Sequence, residues 1–295
     1  MTAAPATDVA PPGSAAELAA RHGLARSGAR PGLAQYAGLL WQRRHFIVAY
    51  ARARNTAQYS GSLLGSMWQL LTPLLNAAVY YLIFGLLLKS NRGIENFAAF
   101  LVAGVFVFTF TQRAVLAGGR AVSGNLGLIR ALHFPRAALP LAATVMELQQ
   151  VLISSAVLMV IVVLTGEPIT LAWLLVVPAL ALQTVFNCGL ALVFARLTSR
   201  VRDLEQLLPF ALRTWQYASG VFFSIAVVAR NAPGPVRDLL EANPAAVYIG
   251  LVRHALLGTQ INAGYTWSLA VLWAVLVFAG GFVYFWKAEE LYGRG

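Results

Sequence analysis

The chain has 295 residues, 59% of them hydrophobic and 11% charged. Ordinary soluble domains carry about 25% charged residues, so this composition describes a membrane protein. A net charge of +11 would suit nucleic acid only on solvated helices, which most of the chain lacks, so anionic lipid is the expected partner; the single cysteine, Cys188, excludes a disulfide framework.

Residues 1–32 are rich in Ala, Pro, Gly and Arg, without an apolar core of signal-peptide length, and read as a disordered cytoplasmic arm. Residues 33–58 set Trp41, Phe46, Ile47 and Tyr50 among Arg43, Arg44, Arg52 and Arg54. That pattern predicts an amphipathic helix in the membrane interface, its arginines snorkelling to headgroups. A bilayer core of about 30 Å takes about 20 apolar residues per helix. Six stretches come close to that length: 67–88, 97–118, 139–164, 169–195, 204–229 and 266–286.

Between the second and third stretches lies a short basic element over 124–136, "GNLGLIRALHFPR", punctuated by Pro135. Between the fifth and sixth, residues 230–260 carry apolar positions at helical spacing, broken by Pro233, Pro235 and Pro244. Short helices dipping back into the outer leaflet are predicted there, because irregular backbone at membrane depth needs protein or a water-filled cavity around it. Six crossings put both termini on one side. Lys and Arg outside the spans number fifteen on that side and five on the other, Arg253 among the five, which predicts cytoplasmic termini and a cytoplasmic 124–136.

The chain has no G-x-x-x-x-G-K-[ST] phosphate loop, and its two lysines, Lys89 and Lys287, lack the preceding glycines, so ATP is not bound by that route. Its four histidines form no metal-binding pair, and no cofactor or catalytic residue is predicted. Arg113, Glu147 and Arg213 are ionisable groups inside the spans, and each must face a cavity or another of them. They contact an anionic or sugar-bearing substrate, or they form structural ion pairs. Trp68, Tyr80, Tyr81, Phe106, Phe108, Phe110, Trp215, Tyr217, Phe222 and Phe223 form an aromatic set on the first, second and fifth spans. Aromatic faces stack on the C–H faces of sugars and tolerate sliding, so these residues line a channel or pack as core and interface belt. Within "VRDLEQLLPF" (201–210), Arg202, Asp203 and Glu205 mark a helix start, Asp203 with Gln206 resembling a capping box that holds the fifth span firmly enough to transmit force.

Four stretches occur together in order: "YSGSLLGSMWQLLTPLL" (59–75), "GNLGLIRALHFPRAALPLA" (124–142), "VRDLEQLLPFALRTWQYASGVFFS" (201–224) and "NPAAVYIGLVRHALL" (243–257). Their S-x-L-G-x-x-W, F-P-R-x-x-L-P and R-D-L elements are specific jointly. With them, residues 38–286 resemble the membrane subunit of ABC-2 type polysaccharide exporters, which move O-antigen, teichoic acid and related lipid-linked glycans. The resemblance implies an all-α membrane protein with the ABC-2 (type V) exporter fold, six transmembrane helices over 33–295, an interface helix at 33–58 and re-entrant helices at 230–260. It implies that 124–136 is a coupling helix seated in a separate nucleotide-binding subunit. Leu128, Ile129, Leu132 and Phe134 would be its apolar anchors, Arg130 and Arg136 its rim charges and Pro135 its stiffener. Two copies of the chain would enclose a channel above two ATPase chains that hold ATP and Mg. Two departures concern specificity: Ser219-Gly220-Val221-Phe222-Phe223 stands where the family often has S-P-I-F-Y, and Arg113 is not part of the general pattern.

The function expected is therefore the channel-forming half of an ATP-driven exporter in the inner membrane. It is not an enzyme itself, and the Ala- and Arg-rich sequence points to a GC-rich bacterium whose cargo is an O-antigen-like polymer or cell-wall galactan. A drug exporter shares the six-span plan, and a membrane glycosyl- or acyltransferase would have to use Asp203 and Glu205 as its acids.

Overall fold

The computed structural model describes residues 31–59, 64–87, 94–132, 134–231 and 233–292. The arm over residues 1–30, Lys89 and Arg92 lie outside them. The regular structure among the described residues is all helical, with no strand. Helices α1 (Leu33–Gln42) and α2 (Arg44–Tyr59) precede α3 (Trp68–Tyr80), which runs on into a π-helical segment, Tyr81–Leu87. Then come α4 (Phe97–Ser123), α5 (Leu126–Ala131), α6 (Ala138–Leu164) and α7 (Val176–Arg200), the last led by a 3-10 turn, Leu171–Leu175. The chain closes with α8 (Leu204–Ala218), α9 (Ile225–Asn231), α10 (Gly234–Glu241), α11 (Pro244–Leu257) and α12 (Ala263–Trp286). Among the described residues, five helical segments are long and apolar enough to cross a membrane: Leu70–Leu87, Phe97–Ser123, Ala138–Leu164, Leu171–Arg200 and Ala263–Trp286.

Helix α4 is the hub, with 78% of its membrane window buried, whereas the α3 window is 6% buried and lies at the periphery. Small residues let the inner helices touch backbone to backbone. A Cβ on Gly118 of α4 would overlap Ala191 of α7, and Cβ atoms on Gly189 of α7 and Gly281 of α12 would overlap the facing backbone. Close approach of this kind supplies dispersion contact where lipid offers no hydrophobic drive between helices. A buried amide adds to it: Gln183 of α7 donates to the Val107 carbonyl and the Thr111 hydroxyl of α4, 2.9 Å each.

The fifth predicted span is not one helix. α8 ends at Ala218, and at about 1.5 Å per residue its 15 residues cover about 22 Å, short of a 30 Å bilayer core. The chain turns at Gly220, where φ is +68° and a Cβ would sit 2.6 Å from Ile225. Three carbonyls at the turn are taken by side chains. Asn243 Nδ2 donates to Ala218 O (3.0 Å), and Arg253 donates to Gly220 O (2.7 Å) and Val221 O (2.8 Å). Arg253 also donates to Phe100 O (3.0 Å), lies over the Phe100 ring and occupies the space that Gly104 leaves open. The orientation count placed Arg253 among the cations outside the spans; it is a buried cap, its planar guanidinium serving two carbonyls of the break and one of α4.

The helix predicted over 33–58 divides at Arg43, and its second half does not lie flat across the bundle. Phe46 of α2 meets Phe134 (ring centroids 5.6 Å), while Asn55 and Gln58 reach Gln150, 3.4 Å each, twelve residues into α6. Over those contacts both helices climb about 18 Å, so α2 runs alongside α6.

Candidate functional site

Three places hold the residues singled out from sequence. The first is the turn between α4 and α6. The predicted 124–136 helix is a single short helix, α5, followed by an extended Leu132. Asn125 before it is tied to α2 and to α4, accepting from the Tyr50 hydroxyl (2.7 Å) and Arg54 (3.3 Å) and donating to Ala121 O (2.8 Å). The predicted anchors divide. Ile129 and Pro135 are buried, and Leu128 and Phe134 pack inward, Phe134 on Phe46, so these four hold the turn to its own chain. Leu132, 51% exposed, and Arg130 are the two that face outward.

Arg136 is drawn inward too, and sequence reasoning missed its partner. Its backbone N–H donates to Glu289 Oε1 (2.9 Å) and its guanidinium to the Glu289 carbonyl. The Tyr36 hydroxyl donates to Glu289 Oε2 (2.7 Å) and accepts from the Ala137 N–H (3.1 Å). One buried knot thus joins α1, the start of α6 and the segment after α12. Burial pushes the Glu289 carboxyl above its ordinary range, against the Arg136 N–H, the Tyr36 hydroxyl and the Arg136 charge, which favour the ionised form. Burial and Glu289 push the Tyr36 phenol up, and it stays a donor. A tyrosine and a glutamate 253 positions apart carry no local signal of this contact.

The second place is α8. Asp203 does not form the expected capping box: its backbone is already helical and its side chain caps nothing. Glu205 instead accepts from the Ser123 hydroxyl (2.6 Å), which fastens the start of α8 to the end of α4, while Arg202 and Asp203 are exposed. A transferase acid pair at Asp203 and Glu205 would have to free Glu205 from that bond. The faces of α8 then separate. Leu208, Leu212 and Gln216 are buried, and Trp215 packs edge-on against Phe108 (5.7 Å) and donates to Asn243 (3.0 Å). Gln206, Phe210, Arg213 and Tyr217 are exposed and follow one another three or four residues apart, which makes a single outward stripe. Arg213 therefore faces outward, beside Tyr80 and without an ion pair to any acidic group among the described residues.

The aromatic set divides the same way. Phe106, Phe108, Phe110 and Phe222 are buried in the chain's own core and line no lumen between two copies. Phe222 does serve the surface set from behind, because Tyr80 (4.8 Å), Phe84 (4.6 Å) and Tyr217 (5.2 Å) all pack on it. Trp68, Tyr81 and Tyr217 are exposed, and Tyr80, Trp215 and Phe223 are half-buried.

The third place is the polar cluster inside the bundle. Arg113 does not pair with Glu147; it donates to Gln150 Oε1 (2.8 Å), and an ion pair on α10 joins Arg237 to Glu241. Glu147 is 6% exposed, and its Oε2 has no partner. No group of His, Cys, Asp or Glu among the described residues could hold a metal ion.

The sequence resembles known transport proteins along most of its length. It is 26% identical over 258 residues to the O-antigen export system permease protein RfbA of Myxococcus xanthus, covering 85% of this chain and 95% of that protein. Against the protein of the same name from Klebsiella pneumoniae it is 26% identical over 235 residues, 79% of this chain and 88% of the relative. The polysialic acid transport protein KpsM of Escherichia coli is 23% identical over 230 residues, 77% and 88% of the two chains. Residues 46–257, from α2 through the whole of α11, match the model of the ABC-2 type transporter family, and with a bundle of five membrane-length helices around them the chain belongs to that family.

Proposed function

We propose that this chain is the channel-forming subunit of an ATP-driven exporter of lipid-linked polysaccharide in the cytoplasmic membrane, working as a pair of copies above two separate ATPase chains. The observation that carries the reading is the outward stripe of α8. An arginine and a glutamine on a membrane-embedded helix cost a few kcal/mol each against lipid, so Gln206, Phe210, Arg213 and Tyr217 belong against water. Two such stripes facing each other across a pair of copies make a wet passage with aromatic rungs, suited to a hydrated chain that must slide. Its relatives carry O-antigen and polysialic acid by name, which supports a polysaccharide as the cargo.

The remaining parts take their places around that passage. α8 and α9 act as one crossing broken at Gly220, which brings the crossings to six and both termini to the cytoplasm. Leu132 and Arg130 on the α5 turn dock on the ATPase, whose closure on ATP pushes the turn. The knot at Glu289 and the Ser123–Glu205 bond carry that push to α6, α12 and α8. An O-antigen-like polymer or a cell-wall galactan is the cargo in view.

The stripe is tested by single cysteines at Phe210, Arg213 and Tyr217, with Leu75 and Val79 of α3 as controls, in a chain whose Cys188 is replaced by Ala. Labelling of the three α8 positions in membranes by a water-soluble, membrane-impermeant maleimide, with the α3 controls unlabelled, is expected. Equal protection of all five positions contradicts a wet α8.

A further inference from the structure

We infer that each copy of the chain carries a sugar-ring site of its own in the cleft between α2, α3, α4 and α6, built from Trp68, Arg113, Glu147 and Gln150. This rests on the export reading above and goes further, because the cleft lies within one chain and apart from the α8 stripe. The cleft holds a cavity of about 470 Å³ walled by Gln58, Trp68, Arg113, Arg120, Glu147 and Gln150. That is within the ~300–1,000 Å³ of small-molecule pockets.

Glu147 reaches this cleft from α6 with a buried carboxylate oxygen that has no hydrogen-bond partner among the described residues. A buried acceptor left unpaired is costly, so something is to be expected opposite it. The walls decide what. Two guanidiniums, Arg113 and Arg120, disfavour a cation beside Glu147. The Glu147 carboxylate in turn disfavours an isolated phosphate between those arginines. A neutral ligand rich in hydroxyls suits both, since each hydroxyl donates to a carboxylate and accepts from a guanidinium or an amide. Gln150 already aligns the set, holding Arg113 through its oxygen (2.8 Å) and turning its nitrogen toward Asn55 and Gln58 (3.4 Å each). Trp68, 39% exposed, offers the flat face on which a pyranose C–H surface stacks.

The test is saturation-transfer NMR on the full chain in lipid nanodiscs. Four probes are used at millimolar concentration: the methyl glycosides of glucose, galactose, mannose and N-acetylglucosamine. At least one is expected to show transfer to its ring C–H protons with the wild-type chain, falling about fivefold or more in both Trp68→Ala and Glu147→Gln. Circular dichroism and melting of the two variants establish that they are folded. No ring transfer from any of the four overturns the site. Transfer that survives both substitutions overturns its location. Displacement of every glycoside signal by inorganic pyrophosphate at equimolar concentration makes the cleft an anion site and overturns the sugar assignment. The export reading fails by a different result, intact surface polysaccharide in cells lacking the chain, so the two outcomes stay separable.

Discussion

Replacing Arg253 with Met removes three hydrogen bonds from the break in the fifth crossing while keeping much of the side chain's apolar volume. The acceptors that lose a donor are Phe100 O, Gly220 O and Val221 O, all on buried residues. Phe100 O keeps the Gly104 N–H of its own helix, and a buried acceptor that loses its donor costs about 1–3 kcal/mol, so the other two cost about 2–6 kcal/mol. The guanidinium has no carboxylate partner, and relief of its own desolvation returns part of that cost, which leaves a net loss of about 1–3 kcal/mol. For a chain of this size that corresponds to a fall in melting temperature of roughly 2–9 °C. Arg253→Lys keeps the charge but cannot serve three carbonyls from one planar fork, so it falls between wild type and Arg253→Met. The assay is thermal unfolding of the three proteins in identical nanodiscs, followed by tryptophan fluorescence. An Arg253→Met chain that melts within a degree of wild type refutes the view that this residue caps the broken helix.

Four further outcomes follow from the same contacts. Gly220→Ala places an L residue at φ +68° and a Cβ 2.6 Å from Ile225, so it loses about 1–2 kcal/mol for the backbone and more for the clash; adding Ile225→Ala restores the second part of the loss and not the first, as melting curves of the single and double variants will record. Glu289 has a carboxyl raised by burial, so its stabilising effect is complete below the ordinary value of 4.5 and is lost as pH rises through the raised one: melting temperature declines above pH 4.5, and Glu289→Gln flattens that part of the profile. Leu132→Glu lowers co-purification of the ATPase chain at unchanged melting temperature, whereas Phe134→Ala, which loses its packing on Phe46, costs roughly 2 kcal/mol of stability in the same pair of measurements. Arg213→Glu reverses the charge of the α8 stripe and cuts the amount of surface polysaccharide severalfold, with protein level unchanged by immunoblot.

Much of the bundle was legible because lipid imposes length and apolarity on each crossing, and the spans at 97–118, 139–164, 169–195 and 266–286 correspond to membrane-length helices whose ends differ by a few residues. The fifth crossing was not, because "WQYASGVFFSIAVVA" carries no charge and no proline, and the break at Gly220 depends on donors from Asn243 and Arg253 that are remote in sequence. A hint was present in "IGLVRHALL", where an arginine flanked by apolar residues on both sides must find acceptors. The aromatic residues were misassigned in part for a related reason. Helical spacing places Phe106, Phe108 and Phe110 on a span but does not say which face of it looks inward, and α4 is buried over most of its surface. Along 124–136, composition identified an exposed turn, yet Ile129 and Phe134 face their own chain because α2 climbs beside α6 and covers them. That arrangement follows from tertiary contacts such as Asn55 and Gln58 with Gln150, which no local pattern encodes.

The central claim, that this chain carries polysaccharide out of the cell, is tested most directly by depleting it in its native host and measuring polymer on both sides of the membrane. Surface polysaccharide is predicted to disappear while its lipid-linked form accumulates inside, with both reversed by the wild-type chain and not by Arg213→Glu. Unchanged surface polysaccharide, together with an altered tolerance of small toxic compounds, would contradict the account and assign the channel to another cargo.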